Sequence, residues 1–139
     1  MTDEYLETQV ITAAPHQLHL MVIDGAIRFA LTAEAALRQR QIEAANAALD
    51  QARGFVGEML CGLNPTRFPE VVDRLKALFL FVHRNLVKAG IQRDVQLVTD
   101  SITILRLYRE TWLALGEKLK QESTAEAPAM SESRFSWAS

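Results

Sequence analysis

Cysteine is nearly absent: Cys61 is the only one, so no disulfide can close within the chain and no thiolate metal cluster can be built. A small buried thiol in a reducing compartment is the expectation. Glycine is sparse at six residues, and none of them builds a phosphate-cradling loop or a nucleophile elbow. Basic charge has no surplus. Fifteen Lys and Arg against 17 Asp and Glu give a net charge of −2 and a pI near 5.9, which argues against a nucleic-acid partner. Long hydrophobic runs are missing too, because Asp24, Arg28, Lys76 and His83 interrupt the apolar stretches. The start, MTDEYLETQ, is acidic and lacks the basic-then-apolar pattern of a secretory signal. A soluble, cytoplasmic protein without membrane insertion is expected.

What is present is apolar content: 49% hydrophobic and 23% charged residues over 139 positions, enough for one domain with a sizeable core. Its periodicity is helical throughout, with no convincing strand. A first helix is predicted from Pro15 to Arg40, with proline preorganised at its first position. Apolar side chains cover well over half of its wheel. The polar wedge is narrow, and within it Asp24 and Arg28 stand at i, i+4 as an expected surface ion pair.

A second helix is predicted from Ile42 to Leu63, with a left-handed cap at Gly62 and a stop at Asn64-Pro65. The third runs from Pro69 to Ala89, closed by Gly90. Its core stripe is Val71, Val72, Leu75, Leu78, Phe79, Val82 and Leu86. Phe81 points away from that stripe, flanked by Leu80 and Val87. The fourth runs from Asp94, a predicted N-cap, to Lys120. Its seam of Val95, Val98, Ile102, Leu105, Trp112 and Leu113 is widened by Leu97, Ile104, Tyr108 and Leu115. Short links force neighbours to reverse direction, so an all-α, antiparallel up-down four-helix bundle is expected over residues 15–120. Residues 1–14 form a leader or cap before it, and residues 121–139 a flexible tail that contains Phe135 and Trp137.

Reactive constellations are hard to find. His16 and His19 lie three apart at a helix start, but no carboxylate stands at a matching turn, so they are expected to form a surface pair and not a metal site. Di-iron bundles need Glu-x-x-His on two helices, whereas the residues three before the histidines are Ala13, His16 and Leu80. Phosphotransfer bundles place Lys and Gly three and four residues after the histidine; after His83 they come at Lys88 and Gly90. No enzyme, no cofactor and no metal is the reading.

Several stretches together resemble the flagellin-specific export chaperone family, FliS. They are Tyr5-Leu6-Glu7-Thr8-Gln9-Val10, Thr12-Ala13-Ala14-Pro15 and Leu18-x-Leu20-Met21-x-x-Asp24-Gly25-Ala26. Asn46 and Ala52 follow, then Leu78-Phe79-Leu80-Phe81 with Arg84 and Leu86, then Asp94, then Tyr108-Arg109-Glu110-Thr111-Trp112. The pattern covers about residues 5 to 113. Departures are Ala14 where serine is usual, Phe79 and Phe81 where tyrosine is common, Asn85 where a basic residue is usual, and Gly90 where asparagine is common.

The resemblance implies a cytosolic chaperone that covers the disordered C-terminal segment of flagellin, blocks premature polymerisation and presents flagellin to the flagellar type III export apparatus. Surplus apolar faces suit helix-in-groove recognition. The expected groove residues are Leu80, Phe81, Val87, Leu97, Ile104 and Tyr108. Tyr5, Leu6, Val10 and Ile11 of the leader are expected to cover part of the groove in the free protein, a monomer or weak homodimer. The competing reading is a self-associating structural or regulatory bundle that buries the same surface against a second copy.

Overall fold

The computed structural model describes residues 15–66 and 68–125, apart from the side chains of residues 119 and 122–125. Four helices account for them: α1 (Pro15–Arg38), α2 (Ile42–Cys61), α3 (Pro69–Gln92) and α4 (Val95–Ala125). No strand occurs among the described residues.

Helix starts follow the sequence closely. Pro15 and Pro69 open α1 and α3, where a missing N–H costs nothing. Asp94 caps α4, its Oδ1 accepting the Gln96 amide at 2.9 Å. Helix ends depart from the sequence reading. Gly62 is right-handed (φ −78°), and α3 runs straight through Gly90 to Gln92. The left-handed positions are taken by Arg40, Phe68 and Arg93. Three side chains therefore sit where glycine is favoured, a strain that tertiary packing must outweigh. Between α2 and α3, Asn64 Oδ1 accepts from both the backbone and the hydroxyl of Thr66, which makes an Asx turn.

The helices form a ring in which α1 packs on α2, α2 on α3, α3 on α4, and α4 closes back onto α1. His16 meets Trp112, His19 meets Tyr108 and Glu34 meets Thr99, so α1 and α4 run antiparallel. Alanine rows on α1 (Ala26, Ala30, Ala33) and α2 (Ala45, Ala48, Ala52) are buried and allow close backbone approach. Gly25 adds to this, because a Cβ there would lie 2.7 Å from the Phe55 ring. One core joins all four helices, built on Ile23, Leu49, Met59, Phe79, Leu86 and Leu105.

Two apolar residues read as interior are outside it. Val71 is mostly exposed, because it lies in the first turn of α3 at the end of the bundle. Cys61 is exposed at the end of α2.

Candidate functional site

Helix α4 is gripped on one flank by α1. The His16 ring stacks on Trp112 with centroids 4.6 Å apart, and its Nε2–H donates to the Trp112 carbonyl at 2.9 Å. In return the Trp112 indole N–H donates to the His16 carbonyl at 2.9 Å. Gly116 makes room for this, since a Cβ there would lie 2.2 Å from the His16 ring. One turn on, His19 Nε2 and the Tyr108 hydroxyl are 2.7 Å apart. His19 is buried, and that burial, followed by repulsion from His16, pushes its pKa down to about 4. Burial also raises the Tyr108 pKa, so both groups are neutral and share one proton-donating contact.

These contacts overturn two sequence expectations. His16 and His19 are not a surface pair but pins between α1 and α4. Asp24 does not pair with Arg28: it accepts a hydrogen bond from Arg109, 85 residues away, while the Arg28 guanidinium lies 5.1 Å over the Phe29 ring. The missed signal was present in the sequence. The stretch Pro15 to Ala26 and the stretch Tyr108 to Trp112 both belong to the family-like pattern, and the fold brings them side by side.

The other flank of α4 faces α3. Because Arg109 and Thr99 reach α1, the opposite side of the α4 wheel carries Leu97, Ile104, Leu107 and Leu115. Leu107 is 59% exposed and Leu115 43%, while Leu97 and Ile104 are half-buried against the core. On α3, Gly90 lies beside Leu49 and Asn46 of α2, and Leu80, Val87 and Ile91 share that side of the wheel. Phe81, 50% exposed, lies on the side turned to α4. The ring contact between Phe79 and Tyr108 sets the level, placing Phe81 between Ile104 and Leu107. Leu97 to Leu115 spans about 27 Å of helix. The result is a mostly apolar strip along the α3–α4 seam, interrupted by the exposed Asp100 and Thr111.

The expected groove residues thus separate into three groups. Phe81, Leu97 and Ile104 lie together on the α3–α4 seam. Leu80 and Val87 lie on the α2 side of α3, next to the exposed Ile91. Tyr108 is only 8% exposed, a core residue held by His19 and Phe79, so it underlies the seam and does not line an open surface. Tyr5, Leu6, Val10 and Ile11 lie outside the described residues. Sequence reading missed Leu107, whose neighbours on the wheel looked polar.

Among the described residues no group of three or more His, Cys, Asp or Glu side chains could hold a metal ion. No described helix is long and apolar enough to cross a membrane. Fold and surface define a class: a four-helix bundle with an apolar strip exposed along one seam. Within that class the chain belongs to the FliS family, described as flagellar protein FliS, which it matches over residues 1–119. It is 30% identical over 120 residues to the flagellar secretion chaperone FliS of Salmonella typhimurium, covering 85% of this chain and 89% of that protein. The flagellar secretion chaperone FliS of Bacillus subtilis is 28% identical over 108 residues, covering 78% and 80%. Flagellar secretion chaperone FliSB of Pseudomonas aeruginosa is 25% identical over 107 residues, covering 77% and 85%.

Proposed function

We propose that this chain is a cytoplasmic export chaperone that binds the C-terminal segment of flagellin. By covering that segment it blocks premature polymerisation and delivers flagellin to the flagellar type III export apparatus. The observation that carries this reading is the strip of exposed Phe81, Leu107 and Leu115 with half-buried Ile104, on one seam of a member of a family of secretion chaperones. An amphipathic segment laid along the strip would fold as it binds. Coupled folding of this kind buries on the order of 1,000–3,000 Å² and costs several kcal/mol of ordering, which suits a client that must later be released. Leu80, Val87 and Ile91 offer a second apolar line on the other side of α3, so a long client has a route around that helix. The leader, with Tyr5, Leu6, Val10 and Ile11, covers part of the strip in the free protein.

The test is to size the purified chain with and without a flagellin C-terminal peptide. A monomer that becomes a 1:1 complex supports the reading; a constitutive dimer indifferent to the peptide supports the self-associating bundle instead. Phe81→Asp should abolish peptide binding while lowering stability by less than about 1 kcal/mol. Unfolding of that variant would make Phe81 a core residue and remove it from the groove. Deleting residues 1–11 should leave the bundle folded and peptide affinity equal or higher; a large loss of affinity would make the leader part of the grip.

A further inference from the structure

The seam between α1 and α4 holds a second feature, an open cleft of about 760 Å³ whose lining includes Asp24, Ile27, Arg28, Leu31, Arg106 and Glu110. Its charge is uneven. Asp24 is taken up by Arg109. Arg28 touches only the Phe29 ring, and Arg106 makes no ion pair among the described residues. That leaves two guanidinium groups on opposite walls facing one free carboxylate, Glu110. The Asp24–Arg109 and Glu34–Thr99 contacts on either side of the cleft set Arg28 level with Leu105, so Arg106 stands nearly opposite Arg28 across it. Between them lie Ile27, at the floor, and Leu31, 36% exposed.

We infer that this cleft is a second docking site, built for an acidic amphipathic helix of another protein. Two carboxylates on that helix, one toward each wall, meet Arg28 and Arg106, and an aliphatic residue beside them covers Ile27 and Leu31. The chain as a whole carries a net charge of −2, which disfavours acidic partners everywhere except at such a local cationic site. The cleft also lies on the opposite flank of α4 from Leu97, Ile104 and Leu115. Both seams can therefore be filled at once, and a chaperone holding its client still presents this face to a second partner.

The probe is a synthetic amphipathic peptide of about 18 residues with Glu at i and i+4 beside Leu, and a counterpart with Lys in place of each Glu. Binding to the full chain is followed by amide chemical shifts and by anisotropy, first alone and then with the flagellin peptide present. The acidic peptide should perturb Leu31, Thr32 and Arg106, weaken with added salt, and bind equally well when the flagellin peptide is already bound. The lysine counterpart should not bind. Arg28→Glu with Arg106→Glu, both exposed and outside the core, should lower acidic-peptide affinity by about tenfold or more and leave the melting temperature and flagellin-peptide binding unchanged. Failure of the acidic peptide to bind the free chain overturns the inference whatever the flagellin result. So do competition with the flagellin peptide, retained binding in the double variant, and self-association of the chain through Arg28 and Arg106.

Discussion

The two flanks of α4 are held in different ways. Toward α1 the contacts are directional: the reciprocal His16–Trp112 hydrogen bonds, His19 with Tyr108, Arg109 with Asp24, and Thr99 donating to Glu34 at 2.7 Å. Toward α3 the contacts are apolar, the Phe79–Tyr108 ring pair and aliphatic side chains, and Leu107 and Leu115 are exposed. Directional contacts fix a helix in one position, since each loses its energy when the geometry slips. Aliphatic contacts tolerate repacking. The difference separates the two flanks: α4 is anchored to α1 by contacts that fix its position, while its other side is held by contacts that tolerate repacking.

The strongest way to break that comparison is Trp112→Ala. It removes a ring that is 7% exposed, stacks on His16 and meets His19 at 4.5 Å. The loss should be about 3–5 kcal/mol, the ordinary cost of emptying a core aromatic site. Urea unfolding of Trp112→Ala beside Phe81→Asp, on the same scale, tests it. The comparison fails if the two substitutions cost the same.

Much of the architecture was legible in the sequence, because helical periodicity depends only on the order of apolar residues. Pro15, Pro69 and Asp94 opened helices where expected, since their preference is local chemistry. Gly62 and Gly90 misled because glycine permits a left-handed turn without demanding one, while Arg40 and Arg93 were forced into it by the reversal between packed helices. The site was legible in part. Phe81 stood out because it faces away from its own stripe. Tyr108 could not be placed, because a wheel gives an angle and not the depth at which His19 waits for its hydroxyl. Asp24 was paired with Arg28 because only that neighbour is visible in the sequence, whereas the partner the fold uses, Arg109, is 85 residues away.

A smaller effect comes from pH. His19 is neutral in the fold with its pKa lowered from 6.5 to about 4, so folding disfavours its protonated form. Its contribution is fully present above pH 6.5 and is lost as the pH falls from there toward 4, by about 3 kcal/mol in total. Carboxylates titrate in the lower part of that window, so the measurement is a difference: stability against pH for the native chain and for His19→Gln. The native curve should fall more steeply between pH 6.5 and 4, and an imidazole titration by NMR should place His19 well below the ordinary histidine value of 6.5. Parallel curves would mean that His19 protonates without strain and the α1 flank is looser than its hydrogen bonds imply.

The smallest expected effect sharpens the comparison on the open flank. Asn85 follows Phe81 by one turn of α3 and is 6% exposed, yet its side chain makes no hydrogen bond among the described residues. A buried amide without a partner forfeits its hydration for no return, so Asn85→Leu, which keeps the side chain's branched shape, should stabilise the free chain by about 1 kcal/mol. The same side chain lies on the seam where the flagellin segment is proposed to bind. A polar group of the client within its reach would make the amide useful only in the complex, and the substitution would then raise the melting temperature of the free chain while weakening peptide binding. A gain in both would mean that Asn85 serves neither flank. A loss of stability in the free chain would show that the amide is already satisfied, and that the α3 seam, like the α1 seam, is held by at least one directional contact.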